Sequence, residues 1–154
     1  MKVLFVCLGN ICRTTMAEAV FRKMVGDAGL SGEIQVDSAG TGGWHEGERP
    51  HPGTARKLAA EGISDKGIRA RRISREDFAS ADYIVAMDEQ NMRDLRKLAR
   101  GKEEEKLHML SDFVSDADWV EVPDPWYTGD FDATYRLVTQ GCKGLLEQVQ
   151  KELA

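Results

Sequence analysis

Residues Val3 to Leu8 form an unbroken apolar segment, Gly9-Asn10 ends it, and helical spacing follows at once. A short run without polar alternation marks a strand covered on both faces. The helical stretch carries Met16, Val20 and Met24 on one side, with Ala17, Phe21 and Ala28 adjacent, and stops at Gly29. A doubly covered strand that hands its chain to a helix is the opening of a parallel α/β fold. The rest of the sequence repeats the alternation. Ile34 to Val36 reads as a second strand, ended by the segment from Asp37 to Gly43. Pro52 suits the first turn of a helix with Ala55, Leu58 and Ala59 inward and Gly62 as its stop. Ser74 with Asp77 forms a capping box for a short helix through Phe78. Tyr83 to Met87 is the third strand, and Asp88 caps a helix carrying Met92, Leu95 and Leu98 as far as Gly101. The charged run from Lys102 to Lys106 reads as a solvated loop, Leu107 to Leu110 as the fourth strand, and the stretch through Tyr127 as an irregular loop. Val138, Cys142, Leu145 and Val149 stripe the last helix. The expectation is a three-layer α-β-α, Rossmann-like fold around a four-stranded parallel sheet, one domain over residues 1–154. In such sheets ligands bind beyond the carboxyl ends of the strands, here Cys7 to Thr14, Asp37 to Gly43 and Met87-Asp88.

Composition narrows the function. The 154 residues carry a formal net charge of −5, which excludes a uniform basic footprint for nucleic acid but not a local basic pocket. No apolar run suggests a membrane span, and the amino terminus lacks a small-residue cleavage site. Three cysteines do not make a secreted disulfide framework, so a reducing cytoplasm is the expected compartment. His45, His51 and His108 lack metal-ligand spacing, and neither metal nor cofactor is expected.

The turn after the first strand reads Cys7-Leu8-Gly9-Asn10-Ile11-Cys12-Arg13-Thr14. On Cys-x5-Arg spacing alone, a core thiol beside a plain turn, a phosphate site without chemistry, and a nucleophile in an anion cradle all fit. Context adds to this. The inward backbone N–H groups of such a loop, with a helix N-terminus, make an anion-binding concavity. An Arg at the loop's end can grip two phosphoryl oxygens as a fork. The same field favours thiolate over thiol, and the Thr14 hydroxyl is placed to donate to the Cys7 sulfur. A Walker-type nucleotide loop is excluded, because no Gly-Lys-Ser/Thr follows.

With Met16-Ala17-Glu18 following it, this loop resembles that of the low-molecular-weight protein tyrosine phosphatases. The resemblance runs the length of the chain, through Asp37-Ser38-Ala39-Gly40-Thr41, Ala86-Met87-Asp88 and Asp124-Pro125-Trp126-Tyr127. It implies a phosphatase fold and a two-step hydrolysis of phosphotyrosine through a phosphocysteine. Cys7 is the implied nucleophile and Arg13 the implied phosphate ligand. Asp124 is the implied general acid, then base; on turn chemistry alone, an Asp before Pro is usually an Asx-turn residue. Leu8, Gly9, Asn10, Ile11, Cys12 and Thr14 would build the phosphate-binding loop, with Ser38 and Asp88 supporting it. Trp44, Trp126 and Tyr127 would wall a flat phenyl ring. Expected partners are phosphotyrosine proteins or small aryl phosphates, with inorganic phosphate and other oxyanions as inhibitors. No nucleic acid, membrane or second copy of the chain is expected.

Three departures from the family pattern stand out. Thr14-Thr15 replaces Ser-Pro, which should leave the helix start less rigid. Ile68 stands where many members carry a His that holds the loop Asn, so Asn10 needs another partner. Trp126-Tyr127-Thr128-Gly129 changes the pocket wall. Cys12 is either a spectator thiol or the partner of Cys7 in a reversible disulfide that guards the nucleophile, a role the resemblance supports. Cys142 reads as core. Arg69, Arg71 and Arg72 read as solvated charge, with docking of acidic substrate segments as the second reading. Two other enzymes on this fold are the rivals. Protein-arginine phosphatases carry Thr where Ile11 stands. Thiol-dependent arsenate reductases need a cysteine relay that Cys142 alone cannot supply. A mere phosphate binder has no use for Asp124.

Overall fold

The computed structural model describes residues 1–154. Four strands, β1 (Lys2–Cys7), β2 (Gln35–Gly40), β3 (Tyr83–Ala86) and β4 (Leu107–Met109), form one sheet in the order β2-β1-β3-β4. Every pairing is parallel, with Cys7 opposite Gly40 and Val6 opposite both Ala39 and Ala86. Six helices connect and follow the strands: α1 (Arg13–Asp27), α2 (Pro52–Ala60), α3 (Arg75–Ser80), α4 (Glu89–Leu98), α5 (Pro125–Thr128) and α6 (Phe131–Leu153). None is long and apolar enough to cross a membrane.

The alternation along β1 explains the layers. Val3, Phe5 and Cys7 join one core with Met16, Ala17, Val20 and Phe21 of α1 and Val138, Cys142, Leu145 and Val149 of α6. Leu4 and Val6 join the other core, with Phe78 of α3 and Met92 and Leu95 of α4. Side chains of a strand point to opposite faces, so a strand apolar at every position needs helices on both. Burying each of these large side chains is worth about 1.5–3 kcal/mol. Cys142 is fully buried, in keeping with its core position. Gly141 and Gly144 let α6 approach the chain after β4. A Cβ on Gly144 would lie 1.8 Å from the Phe113 carbonyl oxygen.

Several boundaries differ from the sequence expectation. β1 stops at Cys7, not Leu8, because the chain must turn there into the loop. β2 runs on to Gly40, since Asp37 to Gly40 keep pairing with β1 despite their polar character. β3 and β4 are each one residue shorter than expected at their carboxyl ends. The charged run is solvated as expected but is not irregular: Gly101–Lys106 is a 3-10 turn with no buried residue, Glu103 is paired to Arg75, and the Lys106 ammonium donates 2.7 Å to the Phe78 carbonyl. The stretch after β4 contains a 3-10 turn at Leu110–Phe113 and the single-turn helix α5.

The order β2-β1-β3 means that the chain leaves β1 to one side and later returns to its other side. The carboxyl end of β1 is therefore a topological switch point, where a crevice opens. Cys7 sits at that end.

Candidate active site

The loop from Cys7 to Arg13 wraps over the switch point. Asn10 takes φ 56°, the left-handed region that Asn tolerates better than most residues. The backbone N–H groups of residues 9–12 have no acceptor within the chain, the requirement for a backbone anion cradle. The outside of the loop is tied down. Thr41 and Gly42 donate from their backbone to the Cys7 and Leu8 carbonyls at 2.9 and 3.0 Å. Gly40 is needed there, since a Cβ would stand 2.7 Å from the Leu8 oxygen. His51 N–H donates 2.8 Å to the Ile11 carbonyl, and the Thr54 hydroxyl donates 3.1 Å to that of Cys12.

One chain of hydrogen bonds has a forced direction. The Arg71 backbone N–H can only donate, and it lies 2.9 Å from Asn10 Oδ1. The Asn10 amide nitrogen therefore faces Thr14 Oγ1 at 2.8 Å and Ser38 Oγ at 2.9 Å and donates to both. The Thr14 oxygen accepts, so its only proton is free for Cys7 Sγ at 3.1 Å. The Cys7 sulfur thus accepts a hydroxyl hydrogen bond from Thr14. This settles the Ile68 departure: Ile68 is buried apolar surface, and Asn10 is held by the Arg71 backbone, Ser38 and Thr14. Thr15, in place of the family's Pro, adds a tie of its own at the helix start. Its hydroxyl donates 2.8 Å to the Ile11 carbonyl, a bond that Pro could not make.

Arg13 is buried beneath the loop. Its Nη1 donates to Asp88 Oδ2 at 2.7 Å and to the Val122 carbonyl at 3.0 Å. Asp88 is fixed because its other oxygen caps α4, accepting from Asn91 N–H at 2.7 Å. Burial works against the charge of Arg13, but Cys7, Asp88 and Asp124 outweigh it and raise the guanidinium pKa further. Val122 N–H donates 2.9 Å to the Met87 carbonyl. That bond docks the Asp-Pro segment on the end of β3. Asp124 caps α5: Oδ1 accepts from Trp126 N–H at 3.1 Å, while Oδ2 lies 3.6 Å from Arg13 Nη2. The turn role and the position over the loop belong to different oxygens of one carboxylate.

Cys7, Arg13 and Asp124 line one cavity of about 280 Å³, together with Leu8 to Cys12, Trp44, Trp126 and Tyr127. Trp44 and Tyr127 are 72% and 80% exposed, so both rings stand as rims. Thr14 and Ser38 are fully or almost fully buried, and with Asp88 they act from behind the loop rather than lining the cavity. Cys12 is also buried. Burial, reinforced by Asp124 and Cys7, pushes its thiol up to about 12, which keeps it protonated.

Four residues at the site escaped the sequence reading. His45 lines the cavity, is paired with Glu48, and leans on Trp126 at 5.6 Å. His51 accepts from Gly53 N–H at the start of α2, stacks on Phe131 and meets Trp126 edge-on. Thr54 and Arg71 pin the loop. Only Pro52 hinted at His51, as a helix start with the preceding residue in the cap position. Arg71 is neither solvated nor a docking group: it forks onto Asp77 at 2.9 Å and bridges to Asp37.

The family model of the low molecular weight phosphotyrosine protein phosphatases matches residues 2–154. A low molecular weight protein-tyrosine-phosphatase of Bacillus subtilis, YfkJ, is 50% identical over 98% of this chain and 97% of its own. Its crystal structure superposes with a TM-score of 0.96, covering 99% of this chain and 96% of that one. A protein tyrosine phosphatase of Entamoeba histolytica, solved with Hepes in the active site, gives 0.93 at 33% identity, over 100% and 99% of the two chains. A Drosophila arginine phosphatase gives 0.89 at 32% identity, over 97% and 98%.

Proposed function

The chain belongs to the low molecular weight protein-tyrosine-phosphatases, enzymes of phosphotyrosine hydrolysis, and from that premise we propose that Cys7, Arg13 and Asp124 carry the reaction in two steps. The Cys7 thiolate attacks phosphorus and the bond from phosphorus to the tyrosine oxygen breaks. Asp124 gives its proton to that oxygen, so tyrosine leaves neutral. Water then attacks the phosphocysteine, Asp124 takes its proton, the S–P bond breaks and phosphate departs. Arg13 and the amides of residues 9–12 hold the equatorial oxygens through both displacements, where positioning and charge stabilisation do most of the work. Asp88 keeps Arg13 in place, and Thr14 steadies sulfur both as nucleophile and as leaving group. Trp44, Trp126 and Tyr127 receive the phenyl ring.

The observation that carries this reading is the convergence of a hydroxyl-stabilised sulfur, a buried guanidinium and a carboxylate on one cavity rimmed by aromatic rings. Ile11 in the cavity wall favours a phosphotyrosine ring over the phosphoguanidinium that a Thr there would serve. The substrate is a phosphoprotein; inorganic phosphate and other oxyanions are read as competitive inhibitors, and the working form as a single-domain cytoplasmic monomer over residues 1–154. Cys12, protonated and beside the nucleophile in the loop, is read as the partner that traps an oxidised Cys7 as a reversible disulfide.

The test is phosphate release from a phosphotyrosine peptide without added metal, for the wild type, Cys7→Ser and Asp124→Asn, with phosphoarginine and arsenate in parallel. Turnover that vanishes in the first variant and drops about 10²–10⁴-fold in the second is expected. A folded, reduced wild type that releases phosphate only from phosphoarginine would overturn the assignment. Peroxide treatment should mask two thiols, recoverable with dithiothreitol, in the wild type but not in Cys12→Ser.

A further inference from the structure

A second cavity, a groove of about 530 Å³, lies beside the catalytic one and is lined by Arg49, Pro50, Pro52, Asp65, Lys66 and Arg69 among others. Its charge runs against that of the molecule. The chain carries −5 overall, yet this groove gathers three cations against one carboxylate. None of the three is in an ion pair. Unpaired cations crowded round one concavity repel one another and gain from an incoming anion.

Both walls of the groove are bonded to the phosphate loop. His51, between Pro50 and Pro52, donates its N–H to the Ile11 carbonyl at 2.8 Å, and Ile11 faces the catalytic cavity. The opposite wall continues through Ala70, which exchanges backbone bonds with Gly47 and Glu48 at 2.8 and 2.9 Å, into Arg71, whose N–H holds Asn10. The segments that line the groove thus also hold the phosphate loop that lines the catalytic cavity. An extended peptide advances about 3.3 Å per residue. Residues three to five places from a bound phosphotyrosine therefore lie up to about 10–17 Å away along the chain.

We propose that this groove is a docking subsite for acidic side chains flanking the phosphotyrosine of the protein substrate, with Arg49, Lys66 and Arg69 as its anchors. The proposal rests on the phosphatase reading above and narrows its substrate class to phosphotyrosine in acidic surroundings. Arg69 thereby takes the second sequence reading of the basic cluster, docking of acidic segments, in the company of Arg49 and Lys66, while Arg71 is spent inside the fold.

The test compares two phosphotyrosine peptides, one with Glu and one with Gln at the third to fifth positions on both sides. Each kcat/KM is divided by that of the same protein on phenyl phosphate, which is too small to leave the catalytic cavity. Three proteins are needed: the wild type, Arg49→Ala/Lys66→Ala/Arg69→Ala, and the charge-matched control Arg136→Ala/Lys143→Ala/Lys151→Ala on α6. The expected result is a preference of about tenfold for the Glu peptide, two or three exposed ion pairs at about 2–5-fold each, carried by KM. It should collapse in the groove variant, persist in the control, and shrink with salt. No preference in a wild type that hydrolyses phenyl phosphate would overturn the docking proposal alone. Equal loss in the control would overturn it in favour of diffuse steering by net charge. Failure on phenyl phosphate and both peptides would overturn the catalytic reading and the docking with it.

Discussion

Glu18 is the group whose replacement should raise stability at neutral pH. It lies on α1 with 8% of its surface exposed, and it receives the Ser38 hydroxyl at 2.6 Å. Burial pushes its carboxyl from the ordinary 4.5 up to about 7, with Asp37 adding to the rise and the Ser38 bond, Arg22 and Arg71 opposing it. The sign follows from proton counting. Between pH 4.5 and 7 the folded chain holds this proton and the unfolded chain has lost it, so stability falls as pH rises through that window. At ~1.4 kcal/mol per pH unit, the loss is about 3 kcal/mol, complete above pH 7. Glu18→Gln keeps the shape and still accepts from Ser38, but it cannot ionise. Urea unfolding at pH 4.5, 5.5, 6.5 and 8 should show the variant close to wild type at the acid end and more stable by about 3 kcal/mol at the alkaline end. Other titrating groups cancel in the difference. A difference that stays flat across the range would refute the reasoning. So would one of opposite slope, which would mean that Ser38, Arg22 and Arg71 hold Glu18 as a carboxylate against its burial.

Asn10→Ala should lose stability by about 2–4 kcal/mol by denaturant titration, because Ala is strained at the left-handed φ and leaves the part-buried Arg71 N–H without its acceptor; kcat on phenyl phosphate should fall with it. Asp124→Asn should lose less activity on p-nitrophenyl phosphate than on phenyl phosphate, since nitrophenolate departs without a proton, and equal losses would remove Asp124 from the acid role. Gly144→Ala should lower Tm despite the better helix propensity of Ala, because the added Cβ meets the Phe113 backbone oxygen at 1.8 Å and no side-chain rotation relieves it.

The order of strands and helices, the turn at Gly9-Asn10 and the spacing of Cys7 to Thr14 are local properties. They depend on residues within a few positions of one another, so periodicity and spacing carry them. The same holds for the Asp88 cap of α4 and the Asp124 cap of α5. The polar end of β2 was hidden, because its side chains are matched by distant partners, Asp37 by Arg71 and Ser38 by Asn10 and Glu18. The 3-10 turn at 101–106 was hidden as well, since its bonds go to Arg75 and Phe78, more than twenty residues away.

By itself, then, the sequence determined the α/β class and the strand-loop-helix over Cys7 to Thr14, while Cys7, Arg13 and Asp124 were marked together only by the resemblance to a family. The tertiary structure alone decided who holds that machinery. Arg71 and Ser38 fix the Asn10 amide across separations of 61 and 28 residues, and Val122 brings Asp124 to Arg13 across 109. It also left Arg49, Lys66 and Arg69 unpaired around one groove while turning Arg71 inward onto Asp37 and Asp77. The reason is physical: a side chain's partner is fixed by where packing places it, and a one-dimensional pattern records which groups can bond but not which of them meet.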